Sequence, residues 1–181
     1  MEPGNELSHI DASAGSREPR PSRRLRAPLF DRLTAPVDPA REAAEPMRSL
    51  EPAAAFESVR RDLLRLLNTR TRPGWTPAPG QALTATEYGM PDFSHISAAD
   101  VLERDNFASL MTRVIEAFEP RLKQVRVTLT AHPSNQSALE GSIQGRIRIG
   151  VVDQPVSFPL EVQTRTGDAL VEPAQTGAQP A

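Results

Sequence analysis

The residues with the clearest chemical potential in this sequence are a carboxylate and a guanidinium on either side of a proline. Glu119, Pro120 and Arg121 lie between an apolar-periodic run and an alternating one. Arg121 can form a bidentate hydrogen bond with a carboxylate, and Glu119 can accept one from a guanidinium. Proline fixes its own φ near about −65°, so both neighbours leave the backbone in reproducible directions. The segment 118–122, called the corner below, therefore predicts a pairing or recognition site.

Two interpretations of the corner follow from the residues. Glu119 would lie near a helix C-terminus, where the helix dipole disfavours an anion. Residues placed against local preference are candidates for tertiary or partner contacts. In one interpretation an internal ion pair closes the corner, for example Glu119 with an arginine of the first predicted helix. In the other, Glu119 or Arg121 faces a protein partner, and the two interpretations are compatible.

No catalytic or metal-binding constellation accompanies the corner. The three histidines have no partner at metal-ligand spacing and lie in a polar arm and two loops: His9, His95 and His132. The glycines of segment 141–145 lie inside a predicted strand and lack the context of a phosphate-binding loop. Four carboxylates are candidates for glycoside hydrolysis in name only: Glu87, Asp92, Glu119 and Glu140. We therefore predict no catalytic residues, no metal and no cofactor.

Composition narrows the class of protein further. The chain has 181 residues, a formal net charge of −2 and no cysteine, which excludes disulfides and thiolate metal sites. This charge gives no reason to expect nucleic-acid binding. No apolar run approaches the roughly 18 residues of a membrane helix, and no signal peptide is visible. We expect a soluble cytoplasmic protein without membrane insertion.

The termini and one internal segment are predicted to lie outside the folded core. Residues 1–27 are polar and read as a disordered arm, and residues 172–181 as a disordered tail. Between them, residues 28–171 form the predicted domain, which contains a Pro-rich linker over 35–50. Phe30 and Leu33 belong to a short apolar island, which predicts docking on the chain's own core or on a partner.

Two helices are expected before the corner. Apolar residues recur at helical spacing from about Pro52 to Asn68, with Glu57 and Arg61 as an i,i+4 pair. A second helical run extends from about Ala98 to Phe118, with a capping box at Ser97 and a break near Asn106. The Pro- and Gly-rich loop between the helices is anchored by Tyr88 and Phe93.

After the corner the apolar period changes to two, which predicts strands. Strands are expected near 125–131 and 139–151, then at 156–162 after a turn at Asp153–Pro155, and at 169–171. Pro159 predicts that the third is an edge strand. Gly141 and Gly145 predict a bend or a close helix approach. The order of elements indicates an α+β fold, with N-terminal helices packed on a small antiparallel three- to four-stranded C-terminal sheet.

Three motifs give the chain a family resemblance. The helix end Leu66–Arg70, the turn Tyr88–Asp92 and the corner Phe118–Leu122 occur in the order found in TssE, the small baseplate subunit of the type VI secretion system. TssE is similar to the small wedge protein of contractile phage baseplates. The segment Leu29–Leu33 also resembles the start of that family. The resemblance covers about residues 28–166.

The resemblance implies a structural role in a baseplate docked at the inner membrane. It implies a wedge complex with TssF and TssG, joined by TssK around the VgrG spike, and a sheet that offers strands to the sheath proteins TssB and TssC. The family uses the residues matching Glu119, Pro120 and Arg121 in such contacts. Three further residues are expected at partner surfaces: Phe30, Leu33 and Arg70.

Three alternatives remain open at this point. One is a subunit of another phage-tail-like contractile particle. The second is a regulatory binding module, because the same fold resembles the IraD anti-adaptor. The third is the old lysozyme label of the family, which no carboxylate arrangement in this sequence supports.

Overall fold

The structure is a computed structural model that describes residues 25–26, 49–72, 74–75, 77–78, 80–149 and 152–177. The apolar island with Phe30 and Leu33 lies outside the described residues. Leu25–Arg26 (β1) pairs antiparallel with Ser49–Leu50 (β2). Leu25–Arg26 lies in the predicted arm and Ser49–Leu50 in the predicted linker, and this pairing of distant segments is not visible in local composition.

The first helix, α1, runs from Pro52 to Asn68, as predicted. Pro52 suits the first turn, where its missing N–H would have no helical partner. The predicted apolar stripe is buried: Phe56, Val59, Leu63, Leu66 and Leu67. Glu57 accepts hydrogen bonds of 2.6 and 2.8 Å from Arg60, three residues further on. These bonds lower the pKa of Glu57, and the charge of Arg61, its predicted partner, adds to this shift.

The second helix, α2, runs without a break from Val101 to Phe118. The predicted cap at Ser97 and the break near Asn106 were wrong. Asp100 is the cap, and its carboxylate accepts from the amides of Leu102 at 2.8 Å and Glu103 at 3.2 Å. Asp100 caps one helix start and the following residues bury one continuous face, so α2 continues without a break.

A sheet follows the helices, which confirms the α+β fold with an antiparallel C-terminal sheet. Its strands are β3 (Leu122–His132), β4 (Asn135–Ile149), β5 (Val152–Gln163) and β6 (Ala169–Val171), in that spatial order. A short strand that was not predicted, β7 (Gln175–Thr176), pairs with β5 beside β6. All pairings are antiparallel.

Two predictions about β5 were wrong. Asp153 and Pro155 lie inside the strand, where they pair with Arg148 and Arg146 of β4, so the chain reverses before Val152. Pro159 does not mark an edge, because β5 pairs with β4 on one side and with β6 and β7 on the other. The Pro159 carbonyl accepts from the Glu172 amide at 2.9 Å, so the Pro159 nitrogen also faces Glu172, just beyond the end of β6, and removes no hydrogen bond from the ladder between β4 and β5.

Close approach of two strands explains both glycines of β4. A Cβ on Gly141 would lie 1.9 Å from the Thr128 carbonyl oxygen of β3, and one on Gly145 would lie 2.7 Å from the Leu122 side chain. The predicted close approach is therefore made by β3 rather than by a helix. A β-bulge at Gln124 (φ 53°) lets both Leu122 and Val125 face the core.

One core joins the helices to the inner face of the sheet. It includes Leu63, Leu66, Met111 and Ile115 from the helices and Ile143, Ile147 and Phe158 from the sheet. Of the predicted loop anchors, Phe93 is buried and Tyr88 is 36% exposed. None of the helices in the described part is long and apolar enough to cross a membrane.

Candidate functional site

The corner is a tight change of direction between α2 and β3. Glu119 is the C-cap of α2, and its amide donates to the Ile115 carbonyl at 2.8 Å. The Glu119 carbonyl then accepts from the Leu122 amide at 3.1 Å, which closes a turn around Pro120. Proline disfavours helical geometry in the residue before it, so the helix ends at Phe118 and the strand begins four residues later.

Arg121 folds back onto the Glu119 carboxylate. Its Nε donates to Glu119 Oε1 at 2.7 Å, and its Nη2 donates to Oε2. The Arg121 backbone amide also donates to Oε1, at 3.1 Å. The Glu119 side chain is only 4% exposed and that of Arg121 18%. The carboxylate is therefore a buried anion whose charge is compensated within its own turn.

The first helix supplies the other partners of Arg121. Nη1 donates to Ser58 Oγ at 2.9 Å, and Nη2 donates to Asp62 Oδ2 at 2.5 Å. Asp62 also accepts from Arg65 at 3.2 Å, so charges of alternating sign run from the buried Glu119 outward to Arg65. Burial alone would lower the pKa of Arg121, but the hydrogen bonds and charges of Glu119 and Asp62 outweigh it and raise this pKa.

The geometry shows the internal ion pair of the first interpretation. Both Glu119 and Arg121 point inward, and together they hold α1 against the corner. The predicted internal ion pair exists, but α1 contributes the acceptors Ser58 and Asp62 to it rather than an arginine. Pro120 is exposed at the surface.

Sequence reasoning missed Ser58 and Asp62 as members of this cluster. They lie four residues apart and therefore share one side of α1. Ser58 is only 1% exposed, and a serine beside an apolar stripe could have indicated a buried hydrogen-bonding partner. Nothing in the sequence identifies Arg121 as that partner, because the pairing joins residues 63 positions apart.

Tyr88 lies beside the same cluster. Its ring packs edge-on against Phe118, with ring centroids 5.3 Å apart. Burial raises the pKa of the Tyr88 hydroxyl, and the negative charges of Asp62 and Glu119 add to this shift, whereas Arg65 opposes it. The second motif is thus joined to the corner by ring packing and by electrostatics.

Arg70, another predicted site residue, fastens the end of α1 to two neighbouring segments. It donates to the Leu67 carbonyl at 2.9 Å and to the Gly167 carbonyl. Its guanidinium lies 4.6 Å from the centre of the Phe93 ring. Residues 69–71 also exchange backbone hydrogen bonds of 2.8 and 3.0 Å with Met90. All three motifs therefore meet around the ends of the two helices.

The carboxylates considered for hydrolysis are dispersed. Glu87 caps a short 3₁₀ turn by accepting from the Thr84 amide at 2.8 Å. Asp92 accepts from the Ser94 amide, and hydrogen bonds from Ser94 lower the pKa of Asp92. Glu140 is exposed on the sheet. Among the described residues no group of three His, Asp or Glu side chains could hold a metal ion.

Comparison with known proteins identifies one family. A family model described as "Baseplate wedge protein gp25" matches residues 53–155, which is more than half of the chain. The matched range begins at the second residue of α1 and contains α2, the corner, β3, β4 and the start of β5, and it includes the three motifs described above. None of the curated proteins matches the chain. The match therefore confirms the resemblance.

Proposed function

Because the chain belongs to the gp25 baseplate wedge family, which includes TssE and the phage baseplate wedge protein, we propose that it is the TssE-type subunit of a type VI secretion baseplate. In this role it forms a wedge with TssF and TssG and helps to start the contractile sheath. The family match over residues 53–155 supports the general part of this proposal, that the chain is a baseplate component. The three motifs favour the type VI assignment over another contractile particle.

The corner supports a structural function. The ion pair between the buried Glu119 carboxylate and Arg121 joins α1 to the turn between α2 and β3, and the Arg121 guanidinium makes four hydrogen bonds, to Glu119, Ser58 and Asp62. Glu119 is thereby engaged as an acceptor and is not presented to a substrate. We propose that the chain acts without catalysis in a cytoplasmic complex docked at the inner membrane.

One edge of the sheet is closed by side chains of α1. The Asn68 amide group donates to the Ala169 carbonyl and accepts from the Ala169 amide, both at 2.8 Å. Arg60 donates to the Val171 carbonyl at 3.0 Å. These contacts satisfy outward-facing backbone groups of β6, so this edge is protected against the addition of another strand.

The opposite edge, at β3, is the one suited to a partner strand. Within the described residues only β4 pairs with β3. The Val127 amide donates to the Thr112 hydroxyl of α2 at 3.3 Å, so it faces away from β4. Backbone direction alternates along a strand, which places the amides of Leu129 and Ala131 on the same outer edge. We propose that the strands exchanged with the sheath proteins TssB and TssC add here.

We propose an indirect form of the partner-binding role that was predicted for the corner. Since Glu119 and Arg121 are committed to each other, we propose that they act on partners by fixing the orientation of neighbouring surface groups. Exposed groups beside them are Pro120, Tyr88 and the outer side of Asp62. Contacts of this surface with TssF, TssG, TssK or VgrG are part of the same proposal.

Substitution at Ala131 tests the proposal. Ala131 is exposed and its amide faces the open edge, so Ala131→Pro removes an edge donor and leaves the bonds between β3 and β4 intact. We expect this variant to fold, as measured by circular dichroism, and to abolish assembly of fluorescently labelled sheath in cells. Ala131→Val is the matched control and should support assembly. Normal sheath assembly with Ala131→Pro would contradict strand addition at this edge.

A further inference from the structure

The outer face of the sheet, opposite the helices, carries charge at its two ends. Within the described residues no helix or strand covers this face. Three cations lie towards the corner: Lys123, Arg126 and Arg146. Three anions lie towards the other end: Glu140, Glu161 and Glu172. All six are exposed or half-buried.

Each end places like charges directly opposite each other. Lys123 of β3 pairs in register with Arg146 of β4, and Glu140 of β4 pairs with Glu161 of β5. Like charges in this position destabilise a sheet, whereas opposite charges would stabilise it. Grouping like charges at each end costs stability, which indicates that each end binds an opposite charge from outside this sheet.

The two ends are complementary to each other. Arg146 and Glu140 lie six residues apart on β4, which corresponds to about 20 Å along the strand. The face between them is polar and uncharged, with the Thr128 and Ser142 hydroxyls 3.2 Å apart. The nearby Arg148 is already paired with the Asp153 carboxylate at 2.8 Å, and Arg146 donates to the Asp153 carbonyl at 3.0 Å. One end of the face therefore carries a net positive charge and the other a net negative charge, and β4 contributes to both ends through Arg146 and Glu140.

We propose that this face binds a second copy of the chain, face to face about a two-fold axis. A rotation axis that crosses the strands near Ile143 reverses the strand direction in the second copy. It places Glu140 of each copy over Arg146 of the other, because these residues are equidistant from Ile143. Such an isologous contact uses one self-complementary surface twice and closes at a dimer.

The area of this face predicts a weak dimer. A face that is four strands wide, with strands about 12 residues long, has an area on the order of 600–700 Å² per copy. Stable interfaces bury about 800 Å² per partner. The contact is mostly polar and its charges are exposed, so association should weaken as salt shortens the screening length.

Charge-reversal substitutions at the two ends test the proposal. Sedimentation equilibrium of the purified full chain measures dimerisation. Wild type should dimerise at high protein concentration in low salt and dissociate in high salt. Glu140→Lys with Glu161→Lys makes both ends positive, and Lys123→Glu with Arg146→Glu makes both negative. Each double variant alone should dimerise about tenfold or more weakly than wild type. An equal mixture of the two should recover association as a heterodimer.

A matched control carries the same charge change on another surface. Asp105→Lys with Glu116→Lys alters two exposed carboxylates of α2, on the other side of the sheet, and should dimerise like wild type. The proposal is overturned if wild type stays monomeric at every concentration in low salt. It is also overturned if the folded double variants fail to associate with each other. If this face binds a different protein instead, wild type should stay monomeric at every concentration in low salt.

Discussion

Replacing Arg121 with alanine should destabilise the fold far more than removal of an exposed arginine. Glu119, whose side chain is 4% exposed, would keep only the backbone amide of residue 121 as a hydrogen-bond donor at the corner. Ser58 and Asp62 would lose their hydrogen bonds to Arg121 at the same time. Removing one partner of a buried ion pair typically costs about 3–5 kcal/mol. Because the Arg121 side chain is 18% exposed and that of Asp62 36%, some water reaches the cluster, and we expect about 3 kcal/mol.

Urea unfolding of the purified variants measures this loss as a change in the free energy of unfolding. Arg148→Ala is the matched control, since Arg148 also makes a two-point contact with a carboxylate but its side chain is 72% exposed. It should leave the unfolding midpoint nearly unchanged. A combined Glu119→Leu and Arg121→Met variant should be more stable than Arg121→Ala, because no buried charge is left without its partner.

The reasoning fails if Arg121→Ala costs less than about 1 kcal/mol, the range of an exposed ion pair. It also fails if the combined variant is less stable than Arg121→Ala, since the cost would then come from lost packing and not from an uncompensated carboxylate.

Two further predictions follow from the contacts around the helix ends. Tyr88 is the only tyrosine, so tyrosinate absorbance should titrate above about pH 10 in the folded chain and near pH 10 in denaturant, with Asp62→Asn lowering the folded pKa in part. Because the pKa of Tyr88 is higher in the folded chain, the stability that depends on a neutral Tyr88 hydroxyl is complete below the unfolded pKa and is lost as pH rises through the folded pKa. Identical titration of Tyr88 in the folded and the denatured chain would contradict this prediction. Asn68→Ala should cost about 1–2 kcal/mol and expose the Ala169 amide to hydrogen exchange, because that amide donates to Asn68 Oδ1 at 2.8 Å. Unchanged protection of Ala169 would show that α1 does not close the β6 edge.

Periodicity predicted the elements that depend on local pattern. The bounds of α1, the end of α2 at Phe118 and the alternation along β4 all follow from residues within a few positions of one another. Errors occurred where a distant segment decides. Pro159 is tolerated inside the sheet because its nitrogen faces Glu172, beyond the end of β6, and not β4, and Gly141 is needed because β3 approaches it.

By itself the sequence determined the α+β fold, the three family motifs and the presence of a charged pair around Pro120. It could not determine where that pair points, because the direction depends on Ser58 and Asp62, which only the packing of α1 brings to Arg121. The prediction that Pro159 marks an edge strand was wrong for the same reason. Whether a strand edge is open depends on side chains from another element, and folding alone places Asn68 on β6 and, among the described residues, leaves β3 paired with β4 only.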